Sequence, residues 1–134
     1  MGKQGHSARA MFEADQASLG LGMELVEVGD GTAVVRMAVR ADMLNGHGIA
    51  HGGYVFLLAD TAFACACNSR GAVTVAAGAD ISFIGPVREG EELVASAAER
   101  VSFGRSGIYD VTVRRGDEVV AEFRGRSREV GQVG

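Results

Sequence analysis

A single carboxylate, Asp60, interrupts an apolar run that extends over residues 49–67. On a helix its neighbours three and four positions away are all apolar: Phe56, Leu57, Phe63 and Ala64. An ionised carboxylate is costly in such surroundings unless it is paired or hydrogen-bonded. Asp60 is therefore a candidate general base or nucleophile. The alternative is a structural carboxylate that belongs to a buried ion pair, holds Thr61 or a backbone amide, or faces a water-filled interface.

A glycine-rich run, NGHGIAHGG over residues 45–53, leads directly into this apolar segment. The N-terminus of a helix offers unpaired N–H groups and a partial positive charge. Gly52 and Gly53 have no side chain to obstruct a ligand carbonyl or phosphate that approaches these donors. The run is thus a candidate oxyanion hole. An ordinary glycine-rich junction between a loop and a helix would have the same composition.

His47 and His51 lie four residues apart, a spacing that also occurs in metal sites. The glycines between them favour a loop over a helix, and no nearby carboxylate or cysteine completes a ligand set. The run lacks the Lys-Ser/Thr pair of a phosphate-binding loop, and the chain has no Gly-x-Ser-x-Gly motif of serine hydrolases. We therefore expect no metal and no cofactor.

The distance between the two candidate features constrains how they could cooperate. Gly52 and Asp60 are eight residues apart, so on one helix they are separated by roughly 12 Å along the axis. A general base acts within about 3 Å of its proton. If the two residues share a site, Asp60 must face the helix N-terminus of another subunit. A catalytic role therefore predicts a homodimer with two equivalent sites.

The elements that position these residues follow from the pattern of the whole chain. Its 134 residues predict one domain of α+β class over residues 1–134. We expect an N-terminal helix within residues 1–20, covering residues 6–18, and then a hairpin that turns at Asp30-Gly31. The long apolar helix follows, then four antiparallel strands, and residues 130–134 form a frayed tail.

The apolar helix decides the architecture, because it is apolar nearly all round and must be covered on nearly all sides. The simplest solution is a strongly curved antiparallel sheet wrapped around one long helix, with further cover from a second subunit. This arrangement is the hot-dog fold.

Composition excludes several partners. Seventeen acidic and 13 basic side chains give a net charge of −4, which argues against a nucleic-acid partner. The central Asp60 and the absence of basic flanks argue against a membrane-spanning helix. Residues 1–20 are polar and resemble no secretory leader. Cys65 and Cys67, two positions apart, would face nearly opposite sides of a helix and so could not pair. We therefore expect free thiols and a cytoplasmic location.

The run NGHGIAHGGYVFLLADTAFA (residues 45–64), followed by NSRG (residues 68–71), resembles the hot-dog thioesterases of the phenylacetic acid degradation type, the PaaI family. The similarity continues through DISFIGP, GEEL, GIYD and FRGRS, and it covers roughly residues 21–129. The resemblance implies an enzyme that hydrolyses acyl-CoA thioesters, phenylacetyl-CoA or hydroxyphenylacetyl-CoA above all. It also implies a homotetramer built as a dimer of dimers.

The resemblance further implies a role for each matched residue. Asp60 would be the catalytic base or nucleophile, the Gly52 N–H would polarise the thioester carbonyl, and Asn45 and His51 would orient water, substrate or the loop. The residues implied to bind substrate are Gly53, Tyr54, Phe56, Thr61 and Phe63, although the aromatic ones could equally be core residues. Candidates for holding the CoA phosphates are Arg88, Arg100, Arg105 and Arg114.

One position departs from the pattern of related 4-hydroxybenzoyl-type thioesterases. Those enzymes place a Thr one turn after the carboxylate, where this chain has Ala64, so the group that positions water is open. Two alternative functions are a non-catalytic acyl-CoA-binding module and a hot-dog hydratase or dehydratase that pairs His51 with the carboxylate.

Overall fold

The computed structural model describes residues 6–132, and its helices and strands follow the predicted order. The helices are α1 (His6–Glu13), α2 (Gln16–Gly20) and α3 (Gly52–Cys67), and a 3-10 turn covers Ala41–Met43. The strands are β1 (Glu24–Gly29), β2 (Thr32–Ala38), β3 (Ala72–Phe83), β4 (Glu92–Phe103), β5 (Ser106–Arg115) and β6 (Glu118–Gln132).

The six strands form one antiparallel sheet in the order β1-β2-β4-β5-β6-β3. Strands β1 and β3 are its edges, and α3 contacts all six strands. The predicted hot-dog architecture, a curved antiparallel sheet wrapped around one helix, is confirmed.

Alternating side chains of the strands build the core against α3. In β5, Tyr109, Val111 and Val113 are buried, and the residues between them are half-buried. This period of two places every second side chain on the inner face. Leu58 and Ala62 of α3 pack there with no exposed surface.

The N-terminal segment differs from the single helix predicted over residues 6–18. The chain forms two short helices instead, because Asp15 begins a new one: its carboxylate accepts a hydrogen bond from the Ser18 N–H at 3.0 Å. Asp is a favoured residue at this position. Positions 1–5 of the predicted N-terminal segment lie outside the described residues.

The turn of the β1–β2 hairpin agrees with the sequence prediction, whereas the C-terminal tail differs from it. Gly31 adopts a positive φ of 74° in the turn between β1 and β2, as the Asp30-Gly31 pair predicts. The tail predicted to fray from residue 130 instead stays paired, because β3 is long enough to extend the ladder to Gln132. Residues 133–134 lie outside the described part of the chain.

The sheet leaves one stripe of α3 incompletely covered. Its members recur every three or four residues and are half-buried or exposed: Gly53, Phe56, Leu57, Asp60, Ala64 and Cys67. This is the spacing of one helix face. Asp60 lies at its centre, so the candidate carboxylate is on the face of α3 that the sheet does not enclose.

The two cysteines lie near the C-terminal end of α3 and are free. Burial raises the pKa of each thiol to about 12. In the described residues no helix has the length and hydropathy needed to cross a membrane.

Candidate active site

His51 caps α3 and uses one of the two glycine amides in doing so. Its Nδ1 accepts a hydrogen bond from the Gly53 N–H at 3.0 Å. Its backbone N–H donates to the Met43 carbonyl at 2.8 Å, and its carbonyl accepts from the Tyr54 N–H at 3.0 Å. His51 is therefore fixed at the helix N-terminus, and Gly53 is not a free donor.

The Gly52 amide is the donor that this capping leaves available. Among residues 6–132, no group accepts a hydrogen bond from it. The space around it is narrow, since a β-carbon at position 52 would stand 2.9 Å from Cζ of Phe83 and the ring would have to move. A side chain there would push against the ring beside the Gly52 N–H.

Asn45 organises the loop that leads to this N-terminus. Its Oδ1 accepts hydrogen bonds from the N–H groups of His47 at 2.9 Å and Ile49 at 3.3 Å. Its backbone N–H donates to the Ile49 carbonyl at 2.8 Å. Of the roles considered for Asn45, orienting the loop is the one with direct geometric support.

A cavity of about 500 Å³ opens beside Gly52. Asn45 and Gly52 lie on its wall, and the other lining residues are Ile49, Ala50, Val55, Phe83, Ile84, Gly85, Pro86, Val87 and Val120. The cavity thus combines a free backbone donor with a largely apolar wall, the arrangement expected for an apolar ligand that carries one polar group.

Sequence reasoning missed the far wall of this cavity. Phe83 and Ile84 are 57% and 58% exposed at the end of β3. Val120 joins them because its carbonyl accepts hydrogen bonds from the Ile84 and Gly85 N–H groups, at 2.8 and 3.2 Å. The sequence feature that could have indicated this wall is a pair of apolar residues just before Gly85-Pro86, where a strand must stop.

Asp60 is half-buried and does not line this cavity. Burial raises the pKa of its carboxyl above the usual value, and the nearby charge of Asp15 raises it further. No cation or hydrogen bond among the described residues counteracts this. Within one chain, the carboxylate and the Gly52 donor are therefore separate features, as the helix rise predicts.

Comparison with known proteins places the chain in a family. A model of the Thioesterase superfamily matches residues 47–122. The chain is 44% identical over 130 residues to the acyl-coenzyme A thioesterase PaaI of Escherichia coli (strain K12), an alignment that covers 96% of this chain and 93% of that protein. The chain belongs to the PaaI family of hot-dog thioesterases.

Two solved structures extend the comparison. The PaaI protein from the phenylacetic acid degradation operon of E. coli superposes with a TM-score of 0.95 at 42% identity, covering 98% of this chain and 96% of the other. A protein of Streptococcus mutans UA159, solved with acetyl CoA, gives a TM-score of 0.79 at 25% identity, covering 84% and 91%. The PaaI-family chain is an acyl-CoA thioesterase, and these relatives favour neither a hydratase nor a non-catalytic module.

Two of the implied substrate-binding residues of this thioesterase have structural positions instead. Phe63 is 1% exposed and packs against Tyr109 and Phe123, with ring centroids 5.7 and 5.8 Å away. Thr61 is 5% exposed and donates a hydrogen bond to the Leu57 carbonyl at 2.8 Å. Because the sheet and α2 enclose them, we place neither at the substrate.

The other two aromatic candidates, Tyr54 and Phe56, are half-buried on α3. The Tyr54 ring lies edge-on to His51 with centroids 6.4 Å apart. Phe56 packs on Phe123 at 5.3 Å. Both reach the surface near the N-terminal half of α3, so contact with substrate stays a prediction for them.

The four arginines implied to hold the CoA phosphates do not converge in one PaaI-family chain. Arg105 directly precedes β5 and Arg114 is its penultimate residue, so they are roughly 30 Å apart at about 3.3 Å per residue. Arg100 lies 3.4 Å from a carboxylate oxygen of Asp110. Arg88 directly follows Val87 of the cavity wall, and among the described residues its side chain makes no ion pair.

Proposed function

We propose that this acyl-CoA thioesterase hydrolyses aryl-acetyl thioesters such as phenylacetyl-CoA and hydroxyphenylacetyl-CoA, at a site shared by two chains. The observation that best supports this proposal is the position of the Gly52 amide. Among the described residues the amide is free, and it lies on the wall of an apolar cavity that Asp60 of the same chain does not line. A cavity of about 500 Å³ is large enough for an aryl ring and part of a pantetheine arm. The relationship to a protein of a phenylacetic acid degradation operon supports the aryl-acetyl class.

The reaction needs a polarised carbonyl and an activated water. The Gly52 N–H donates to the thioester oxygen, and the positive end of α3 stabilises the negative charge that develops there. Asp60 from a second copy of the chain takes a proton from water as the water attacks the carbonyl carbon. Collapse of the tetrahedral intermediate breaks the C–S bond, and the CoA thiolate recovers the proton from the Asp60 carboxyl.

A direct attack by Asp60 is the alternative first step. The carboxylate would then displace the CoA thiolate and form a mixed anhydride, which water hydrolyses. Ala64 offers no hydroxyl one turn after Asp60, so the water must be oriented by other groups. Asn45 and the free Nε2 of His51 are the candidates at the opposite side of the site.

Two surfaces of the chain favour contact with a second copy. The stripe of α3 that carries Asp60 is incompletely covered by the sheet. Strand β3 is an edge of the sheet, and its outward side chains Val73 and Val75 are 37% and 47% exposed. A long edge strand with exposed apolar residues favours pairing with another chain. Assembly of two such dimers into a tetramer, and a cytoplasmic location, stay predictions.

Coenzyme A carries phosphate groups, which the site must accommodate or bind. We propose Arg88 as the principal contact, because it is unpaired among the described residues and adjoins the cavity wall. Arg114 lies at the same end of the sheet as Arg88, since it pairs with Val94 near the start of β4 and its neighbour Arg115 donates to the Pro86 carbonyl at 2.6 Å. Arg100 and Arg105 lie toward the opposite end, and they contribute only if the second copy brings them to the mouth of the cavity. A relative that was solved with acetyl CoA supports binding of a CoA ester by this fold.

The test follows free thiol release from phenylacetyl-CoA by the wild-type protein and by Asp60→Asn. We expect rapid release by the wild type and almost none by the variant. Benzoyl-CoA and straight-chain acyl-CoA esters then define the acyl preference, and we expect lower kcat/KM for both. Equal release by the two proteins removes Asp60 from catalysis, and preference for a straight chain contradicts the aryl-acetyl assignment.

A further inference from the structure

A buried polar bridge joins α2 to the middle of α3. Ser18 is fully buried, and its Oγ lies 2.9 Å from Oγ1 of Thr61 and 2.6 Å from a carboxylate oxygen of Asp15. Thr61 in turn lies 2.8 Å from the Leu57 carbonyl. The bridge therefore runs from a carboxylate near the surface to the backbone of the turn that contains Asp60.

Two hydroxyl protons serve the three contacts of this bridge. Each hydroxyl has one proton to donate. An ionised carboxylate only accepts, so the Ser18 hydroxyl donates to Asp15. The single Thr61 proton is then shared between the Leu57 carbonyl and Ser18 Oγ. Asp15 is the acceptor at the end of the bridge, and its charge shortens and strengthens the hydrogen bond from Ser18.

The bridge holds the turn of α3 between Leu57 and Thr61, and Asp60 lies within that turn. Asp60 itself has no hydrogen-bond partner among the described residues that would orient it. The backbone to which it is attached must therefore supply its position. Small displacements of a catalytic group can reduce a rate by large factors, so anchoring this turn has a catalytic consequence.

We propose that Asp15 is a positioning residue for thioester hydrolysis, which acts through Ser18 and Thr61 to fix the turn of α3 that carries Asp60. The proposal rests on the catalytic role of Asp60 argued above. It also explains why the N-terminal segment breaks into two helices: the break places Asp15 where its carboxylate can reach the fully buried Ser18.

The charge of Asp15 also acts on Asp60 directly, and this gives the proposal a distinctive readout. Asp15 is the charged group whose field raises the pKa of Asp60. Arg9 of α1 influences Cys65 instead, and Cys67 on α3 stays neutral because burial raises the pKa of its thiol to about 12. Removing the negative charge at position 15 must therefore lower the pKa of Asp60.

The experiment compares Asp15→Asn with Ser18→Ala, and Glu122→Gln is the control. Glu122 also accepts a hydrogen bond from a hydroxyl, that of Thr112 at 3.0 Å, but this pair is exposed on the outer sheet. For Asp15→Asn we expect kcat to fall by on the order of tenfold, KM to stay unchanged, and the acidic limb of the pH profile to move to lower pH. Ser18→Ala should lower kcat without that displacement, because the charge remains.

A second readout does not depend on turnover. Carbon-13 NMR of the side-chain carboxyls, with the Asp60 signal assigned by its loss in Asp60→Asn, follows the titration of Asp60 in each variant. We expect a lower midpoint in Asp15→Asn and an unchanged one in Glu122→Gln. If wild type and Asp60→Asn differ in activity but Asp15→Asn matches Glu122→Gln in kcat, the positioning role is wrong, whatever the Asp60 titration shows. A wild-type protein that hydrolyses no acyl-CoA ester overturns the proposed function instead.

Discussion

The ring of Phe83 lies against Gly52 so closely that a β-carbon at position 52 would stand 2.9 Å from its Cζ. The contact joins the end of β3 to the first residue of α3. It places an apolar ring, 57% exposed, beside the one glycine amide that His51 leaves free.

This contact makes Gly52→Ala a test of the proposed oxyanion donor. The added methyl displaces Phe83 toward the cavity and obstructs the carbonyl, so we expect kcat/KM to fall by about 100-fold. The fold should survive, because the exposed ring can move. Gly20→Ala is the matched control, since a β-carbon at position 20 meets nothing within 4 Å. Equal loss in both variants would show that the effect is not local to the site.

His51→Ala separates capping from catalysis when it is compared with His51→Asn. Alanine removes the acceptor for the Gly53 N–H and should lower the free energy of unfolding by about 1 kcal/mol, whereas asparagine keeps a capping oxygen and most of that stability. Urea denaturation measures both. If His51 only caps, His51→Asn keeps full activity. A loss of kcat at unchanged stability would assign a chemical role to Nε2.

The raised pKa of Asp60 predicts how its replacement changes stability with pH. The folded chain binds the Asp60 proton more tightly than the unfolded chain, so stability decreases as pH rises through the folded pKa. We therefore expect Asp60→Asn to unfold at higher urea concentration than the wild type at pH 7. The difference should disappear below the ordinary Asp value of 3.8. A wild type that is the more stable of the two at pH 7 would show that the dimer supplies a favourable partner for the carboxylate, such as the N-terminus of the second copy's α3.

Arg88→Ala tests the phosphate contact. We expect KM for phenylacetyl-CoA to rise about three- to tenfold, since one charge-assisted contact is lost. KM for phenylacetyl-pantetheine, which lacks the nucleotide phosphates, should not change. Arg105→Ala, at the opposite end of β4 and β5, is the comparison variant. An equal rise for both substrates would mean that Arg88 shapes the cavity and does not bind phosphate.

Local sequence patterns were sufficient to predict much of the fold and part of the candidate site. The all-round apolar character of α3 was sufficient to infer the enclosing sheet, and Asp60 stood out because no other charge shares its segment. The Gly52 amide could be predicted from the glycines at a helix start. The residues Phe83 and Val120 could not, because they come from strand ends about 30 and 70 positions away in sequence from Gly52, and only the pairing of β3 with β6 joins them.

Thr61 and Phe63 are the opposite case: they were predicted to bind substrate, but they are enclosed in the structure. Both follow Asp60 closely in sequence, yet helix geometry turns them toward α2 and the sheet, while Asp60 lies on the uncovered stripe. A periodicity of 3.6 assigns faces only when the covering elements are known. The role of Asp15 was likewise hidden, since its partner Ser18 contacts α3 more than 40 residues further along the chain.

Co-expression of two inactive variants tests the shared site most directly. Gly52→Val lacks an accessible donor and Asp60→Asn lacks the base, so homodimers of either variant have two defective sites. In a mixed dimer, one site combines an intact Gly52 from one chain with an intact Asp60 from the other. Random pairing in a two-fold symmetric dimer predicts recovery of about one quarter of wild-type activity. If the mixed preparation is as inactive as the two separate variants, Gly52 and Asp60 do not act across a subunit boundary.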